Sequence, residues 1–155
     1  MPIRLKLKMW RIKMADMFGD LQGMGLTPQE INKVAYHRQN LGNPFINQEG
    51  NPMTIYATGI QIPEGKDKGK FVSVPGYVGG RIVTDEDQLY DIWKKDIQSG
   101  KWPVYETAEK LNARDAWLHQ IMDKDMAQYF EQERLKQPYQ QFENLNYQDP
   151  FLTIK

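Results

Sequence analysis

The sequence predicts an α+β fold: a small antiparallel β-meander packed with helices and flanked by extended N- and C-terminal arms. Three observations carry this prediction. Residues 53–83 hold short β-branched and aromatic runs separated by glycine turns. Three segments carry apolar residues at helical spacing between recognisable caps. Both ends depart from the middle in charge or in phase. The expected organisation is a basic arm over 1–13, one domain over 14–136 and an aromatic strap over 137–155.

Composition narrows the function classes. The chain has 155 residues, with 20 Lys plus Arg against 20 Asp plus Glu, so wholesale basicity of the nucleic-acid-binding kind is absent. It has no cysteine, which removes disulfides, thiolate metal sites and cysteine nucleophiles. Two histidines and two serines leave little material for a Ser–His–Asp hydrolase. No apolar run reaches the roughly 18–20 residues of a membrane-spanning helix. Mean hydropathy is low at −0.70, yet 12% of residues are aromatic, which argues for a packed core with polar attachments.

The charge is unevenly placed. Arg4, Lys6, Lys8, Arg11 and Lys13 give residues 1–13 a side-chain charge of +5, and the remainder carries −5. Ile3, Leu5, Leu7 and Met9 alternate with the basic residues, which is the period of a strand. The phase slips at Met9–Trp10, as at a β-bulge. No continuous apolar stretch or small-residue cleavage site marks a signal peptide. Three roles stay open: an edge strand of the protein's own sheet, a strand added to a partner's sheet, or a contact with phosphates.

Residues 14–24 are broken by Gly19 and Gly23 and suit no more than a helical turn. Thr27-Pro28-Gln29-Glu30 has the spacing of a capping box with proline at the first helical position, so a helix is expected over 28–41. Ile31, Val34 and Ala35 keep its period, and Gly42 and Pro44 stop it. His37 is expected at the surface or partly packed. Residues 42–52, with two Asn-Pro steps, are expected to be a loop.

Met53–Ile62, Phe71–Val74 with Tyr77–Val78, and Arg81–Val83 are the expected strands, joined by a charged glycine turn and by Gly79-Gly80. Their glycines lack phosphate-loop or dinucleotide spacing. Thr84 is expected to cap a helix over 85–99, whose Leu89, Trp93 and Ile97 share a face. The three acids at its start suit the helix dipole; adjacent residues diverge by about 100° and cannot all reach one metal ion. Lys101–Tyr105 is expected to be an extended link. A long helix is expected over 107–136, with Ala108, Leu111, Leu118, Met122, Met126 and Tyr129–Phe130 as its apolar stripe. Asp115 falls inside that stripe. It is expected to be solvated or paired with Arg81 or Arg114, with a buried, pKa-shifted acid as the alternative.

From Phe71 to about Gln120 the order of motifs resembles a small module that recurs in tailed-bacteriophage virion-associated and DNA-ejection proteins. The motifs are Phe-Val-Ser-Val-Pro (71–75), a strand with a Gly-Gly turn, Arg-Ile-Val-Thr-Asp-Glu (81–86), an amphipathic helix, Gly-Lys-Trp-Pro-Val-Tyr (100–105), and a helix with Leu118-His119. They cover about one third of the chain. The resemblance brings no catalytic residue, cofactor or metal. It implies a non-enzymatic structural protein of the virion, at the tail, the neck or among ejection components, in a symmetric multi-copy assembly with other virion proteins.

In that setting the arms are the expected contacts. Ile3, Arg4, Leu5, Lys6, Leu7, Lys8 and Trp10 would meet a neighbour's sheet, an acidic subunit or DNA. Tyr139, Phe142, Tyr147 and Phe151 would anchor the C-terminal strap on a neighbouring subunit; packing on the protein's own surface is the alternative. Two rival functions remain: a peptidoglycan-hydrolase-related enzyme or accessory using two of Glu106, Glu109 and Asp115, and a small inhibitor of a host protein.

Overall fold

The structure is a computed structural model, and it describes residues 19–136. The arm residues Ile3 to Trp10 and the strap residues Tyr139 to Phe151 therefore lie outside the described residues. The fold is α+β, with short antiparallel sheets and three helices. The chain divides into two units, 1–122 and 123–155.

Helix α1 spans Pro28–Gln39. Its capping box is complete: Thr27 Oγ1 accepts from Glu30 N at 3.2 Å, and Glu30 Oε1 accepts from Thr27 N at 2.9 Å. The residues it buries are Glu30, Lys33, Val34 and His37. That face is mainly polar, unlike the Ile31–Val34–Ala35 stripe expected from spacing. His37 is fully buried with Nδ1 against Thr54 Oγ1, which corrects its expected surface position.

The Asn-Pro stretch is a small hairpin rather than a plain loop: β1 (Phe45–Ile46) pairs with β2 (Pro52–Met53). Asn47 Oδ1 closes its turn by accepting from Glu49 N and Asn51 N at 3.0 and 2.9 Å.

The central sheet joins β3 (Ala57–Gln61), β4 (Phe71–Pro75) and β7 (Val104–Tyr105) in the order β3-β4-β7, all antiparallel. Its third strand is thus the expected link around Val104, not Arg81–Val83. Residues 77–82 instead form a separate hairpin of β5 (Tyr77–Val78) and β6 (Arg81–Ile82). Gly79 and Gly80, at φ +61° and +82°, supply the two left-handed residues of a tight hairpin turn. Pro75, at the end of β4, marks where the chain leaves the central ladder.

Helix α2 spans Glu86–Gln98 and is capped by Asp85 rather than Thr84; Asp85 Oδ1 accepts from Gln88 N at 2.9 Å. Helix α3 spans Ala108–Leu135 and buries Leu111, Leu118 and Met122. In the second unit α3 carries the i,i+3 ion pair Glu131–Arg134 and the edge-on ring contact of Tyr129 with Phe130, and Glu133 pairs with Lys136 just past its end.

Alternation along β4 splits the core. Val72 and Val74 join Ile60, Ile62, Leu89, Ile97 and Trp102 in an apolar cluster under α2. Ser73, between them, points the other way, toward Lys33 of α1 and Asp115 of α3. A second apolar cluster of Leu21, Val34, Ile55, Leu118 and Met122 lies where α1 meets α3.

Candidate functional site

Two features of the first unit concentrate chemistry: a buried ionic network and an aromatic cleft. The network has two branches that meet on α1 and α3.

In the first branch Glu30 is completely buried. Its carboxylate accepts from Arg114 Nε at 2.8 Å and Nη2 at 2.6 Å, and from the Tyr105 hydroxyl at 2.8 Å. Arg114 also donates to Gly25 O at 3.1 Å and stacks over Trp117 at 4.4 Å from the ring centroid. Burial raises the carboxyl's pKa, but the Arg114 guanidinium, the Thr27 N–H and the Tyr105 hydroxyl outweigh it. The pKa falls from 4.5 to about 2. Burial, and then the hydrogen bond to Glu30, push the Tyr105 hydroxyl well above its usual range.

In the second branch Lys33 Nζ donates to Ser73 Oγ at 2.7 Å and to Asp115 Oδ1 at 2.5 Å, and Ser73 Oγ donates to Asp115 Oδ2 at 3.0 Å. The lysine side chain is 1% exposed and the aspartate 14%. Asp115 is therefore paired with a residue outside the expected set of Arg81 and Arg114. Burial lowers the Lys33 pKa, and the charge and hydrogen bond of Asp115 only partly restore it. A serine beside a lysine with a lowered pKa is a nucleophile–base combination in general. Here Ser73 and Lys33 are both fully buried, so no reacting group can reach them.

The cleft, about 450 Å³, opens between α1, the two small hairpins and α2. Tyr36, Asn40, Phe45, Tyr77 and Trp93 line it. Phe45 and Tyr77 stack face to face, with centroids 3.8 Å apart and planes at 8°, and so tie the β1–β2 hairpin to β5–β6. Trp93 Nε1 donates to Pro75 O at 2.8 Å, and Asn40 Nδ2 to Thr54 O at 3.0 Å. The lining holds no carboxylate, histidine, lysine or arginine. It offers ring faces and amides and can bind a neutral group.

The rival carboxylates fare differently. Glu106 and Glu109 are exposed, and Glu106 pairs with Lys70 at 3.2 Å. Asp115 is committed to the network. Among the described residues no group of three or more His, Asp or Glu side chains could hold a metal ion. No described helix is long and apolar enough to cross a membrane. Sequence reading missed Glu30, Lys33, Ser73 and Arg114. The available signal was the 30–33–37 spacing, which places an acid, a base and a histidine on one face of a helix. Comparison with protein-family models, with curated proteins and with solved structures finds no match.

Proposed function

We propose that this chain is a non-enzymatic, virion-associated structural protein of a tailed bacteriophage, which binds neighbouring subunits through its terminal arms. One observation supports a scaffold over a catalyst. The ionisable groups buried in the described core are all engaged by other protein groups: Glu30 by Arg114 and Tyr105, Lys33 by Asp115 and Ser73, His37 by Thr54. A catalytic acid or base must reach the proton that it moves, and these face one another. Such a network costs desolvation, and its use is to hold helices in one arrangement. A rigid core between two arms of distinct composition suits a subunit clamped into a larger assembly.

The test is mass spectrometry of gradient-purified particles of the phage that encodes the chain, with copy number measured against the major capsid protein. A fixed multiple of six or twelve supports a symmetric ring or tail component. Absence from the particles overturns the proposal and favours the host-directed inhibitor or the enzyme.

A further inference from the structure

Among the described residues β3 is an edge strand of the central sheet, with no strand on its outer side. Ile62 N donates to Lys70 O at 2.8 Å, and Gly76 N donates to Tyr56 O at 2.6 Å. In an antiparallel ladder hydrogen-bonded pairs alternate with non-bonded ones. Tyr56, Thr58, Ile60 and Ile62 therefore spend their backbone groups on β4. The N–H and C=O groups of Ala57, Gly59 and Gln61 point away from it. On the other side of β4, the Ser73 N–H already goes to Pro103 O at 3.1 Å, so β7 covers that edge. Gly59 and Gln61 are exposed. Among the described residues nothing accepts from or donates to the outward groups of β3. Five residues of unpaired edge are a template for strand addition.

We propose that the β3 edge receives residues 3–8 of a second copy of this chain as an added antiparallel or parallel strand. This rests on the proposed role of the arms in subunit contacts and names the acceptor. The segment Ile3-Arg4-Leu5-Lys6-Leu7-Lys8 has strand period, so one side is apolar and the other basic. On β3, Ile60 and Ile62 face the apolar cluster under α2, whereas a Cβ on Gly59 would meet Leu111 on the α3 side, 2.9 Å from its Cδ2. An added strand with Ile3, Leu5 and Leu7 on the α2 side extends the apolar row and leaves the basic residues on the side of Gly59 and Gln61. Charge also fits. Residues 14–155 carry a net −5 against the +5 of the arm, which draws the arm of one copy toward the body of another. Each copy has one donor strand and one acceptor edge. The contact is head-to-tail, and it closes into a ring when the rotation between copies allows.

The absence of cysteine makes the test direct. Full-length Lys6→Cys is mixed with full-length Gln61→Cys under mild oxidation, with Lys6→Cys plus Glu49→Cys as the control. Facing Cβ atoms in paired strands lie about 4.5–5.5 Å apart, within small adjustment of disulfide geometry, so the expected yield is on the order of tenfold above the control. Arg4→Cys and Lys8→Cys cover a shift of register by two residues. Separately, Gln61→Pro removes an outward N–H that β4 does not use. It should shift the sedimenting species from oligomer to monomer without moving the urea midpoint. If that variant loses its fold, the disulfide yields decide. Cross-linking confined to one chain that carries both cysteines overturns the proposal, because the strand is then the chain's own. Control-level yield at all three arm positions overturns it too. A chain found in particles whose cysteines do not pair refutes the acceptor edge alone; a chain absent from particles whose cysteines pair refutes the virion role alone.

Discussion

The two faces of the central sheet are built by opposite means. Under α2 the contacts are Ile60, Ile62, Val72, Val74, Leu89, Ile97 and Trp102, an apolar cluster whose inner polar atom, Trp102 Nε1, has no hydrogen-bond partner. Tyr36, Trp93 and Trp102 meet edge-on there, with centroids 5.2–6.4 Å apart. Toward α1 and α3, Ser73 of β4 meets Lys33 and Asp115, and Tyr105 of β7 meets Glu30, which Arg114 also holds. The apolar face holds through area removed from water, which is tolerant of small movements. The polar face holds through directed bonds to the buried charges of Glu30 and Lys33, which penalises any movement that leaves them unpaired. The difference teaches that stability and positioning are divided between the faces. One supplies cohesion, and the other sets the placement of two helices against the sheet.

That comparison can be broken by substitution. The largest effects are expected where one charge of a buried pair is removed. Asp115→Ala strands Lys33, and Arg114→Met strands Glu30; each should cost about 3–5 kcal/mol in urea unfolding. Lys33→Met should cost less than Asp115→Ala, because Asp115 is 14% exposed and can take up water. The double change Lys33→Met with Asp115→Leu should recover most of the loss, since a buried pair often yields to apolar residues of similar volume. If Asp115→Ala stays within about 0.5 kcal/mol of the parent, as a surface change would, the ionic face holds nothing. Asp115→Asn should also reduce stability, because it removes one charge of the pair, while Glu106→Gln, at the surface, should be silent.

On the apolar face Leu89→Ala should cost about 2–5 kcal/mol, mostly through the cavity left beneath α2. Its loss should be independent of pH between neutrality and mild acid, because no titrating group is exposed by the change.

The polar face should depend on pH. Glu30 has a lower pKa folded, about 2, than the ordinary 4.5 of the unfolded chain. Its contribution is therefore full above pH 4.5 and disappears as pH falls through about 2. The loss should be on the order of 3 kcal/mol in unfolding free energy. Glu30→Gln should flatten that acid limb of the stability curve. A limb of unchanged size in the variant would assign the acid sensitivity to other carboxylates.

The smallest effect sharpens the boundary of the network. Thr27→Ala removes the cap that accepts from Glu30 N, at a cost of about 1 kcal/mol. It should leave the acid limb in place, since Arg114 and Tyr105 still hold the carboxylate.

Much of the local structure was legible. Thr27-Pro28 opens α1 as expected, and α2 starts one residue from the expected place, with Asp85 rather than Thr84 as its cap, because capping chemistry acts within a few residues. Gly79-Gly80 announces its turn for the same reason. The strand order was not legible. Arg81–Val83 and Val104–Tyr105 are both short extended segments, and neither says which will lie beside β4. The network was hidden for a related reason: Lys33 and Asp115 are 82 residues apart, and Glu30 and Arg114 are 84 apart. Each alone looks like a solvated charge on an amphipathic helix.

By itself, then, the sequence determined the three helices to within two residues, the Gly79-Gly80 turn, the α+β class and the charge offset of its first residues. All of these follow from neighbours along the chain. Tertiary structure alone decided that β7 completes the sheet, that α1 buries its polar face, that Asp115 answers Lys33, and that among the described residues β3 lies at the sheet's edge. These depend on which distant groups meet out of water, where an unpaired charge costs several kcal/mol and a partner must be found.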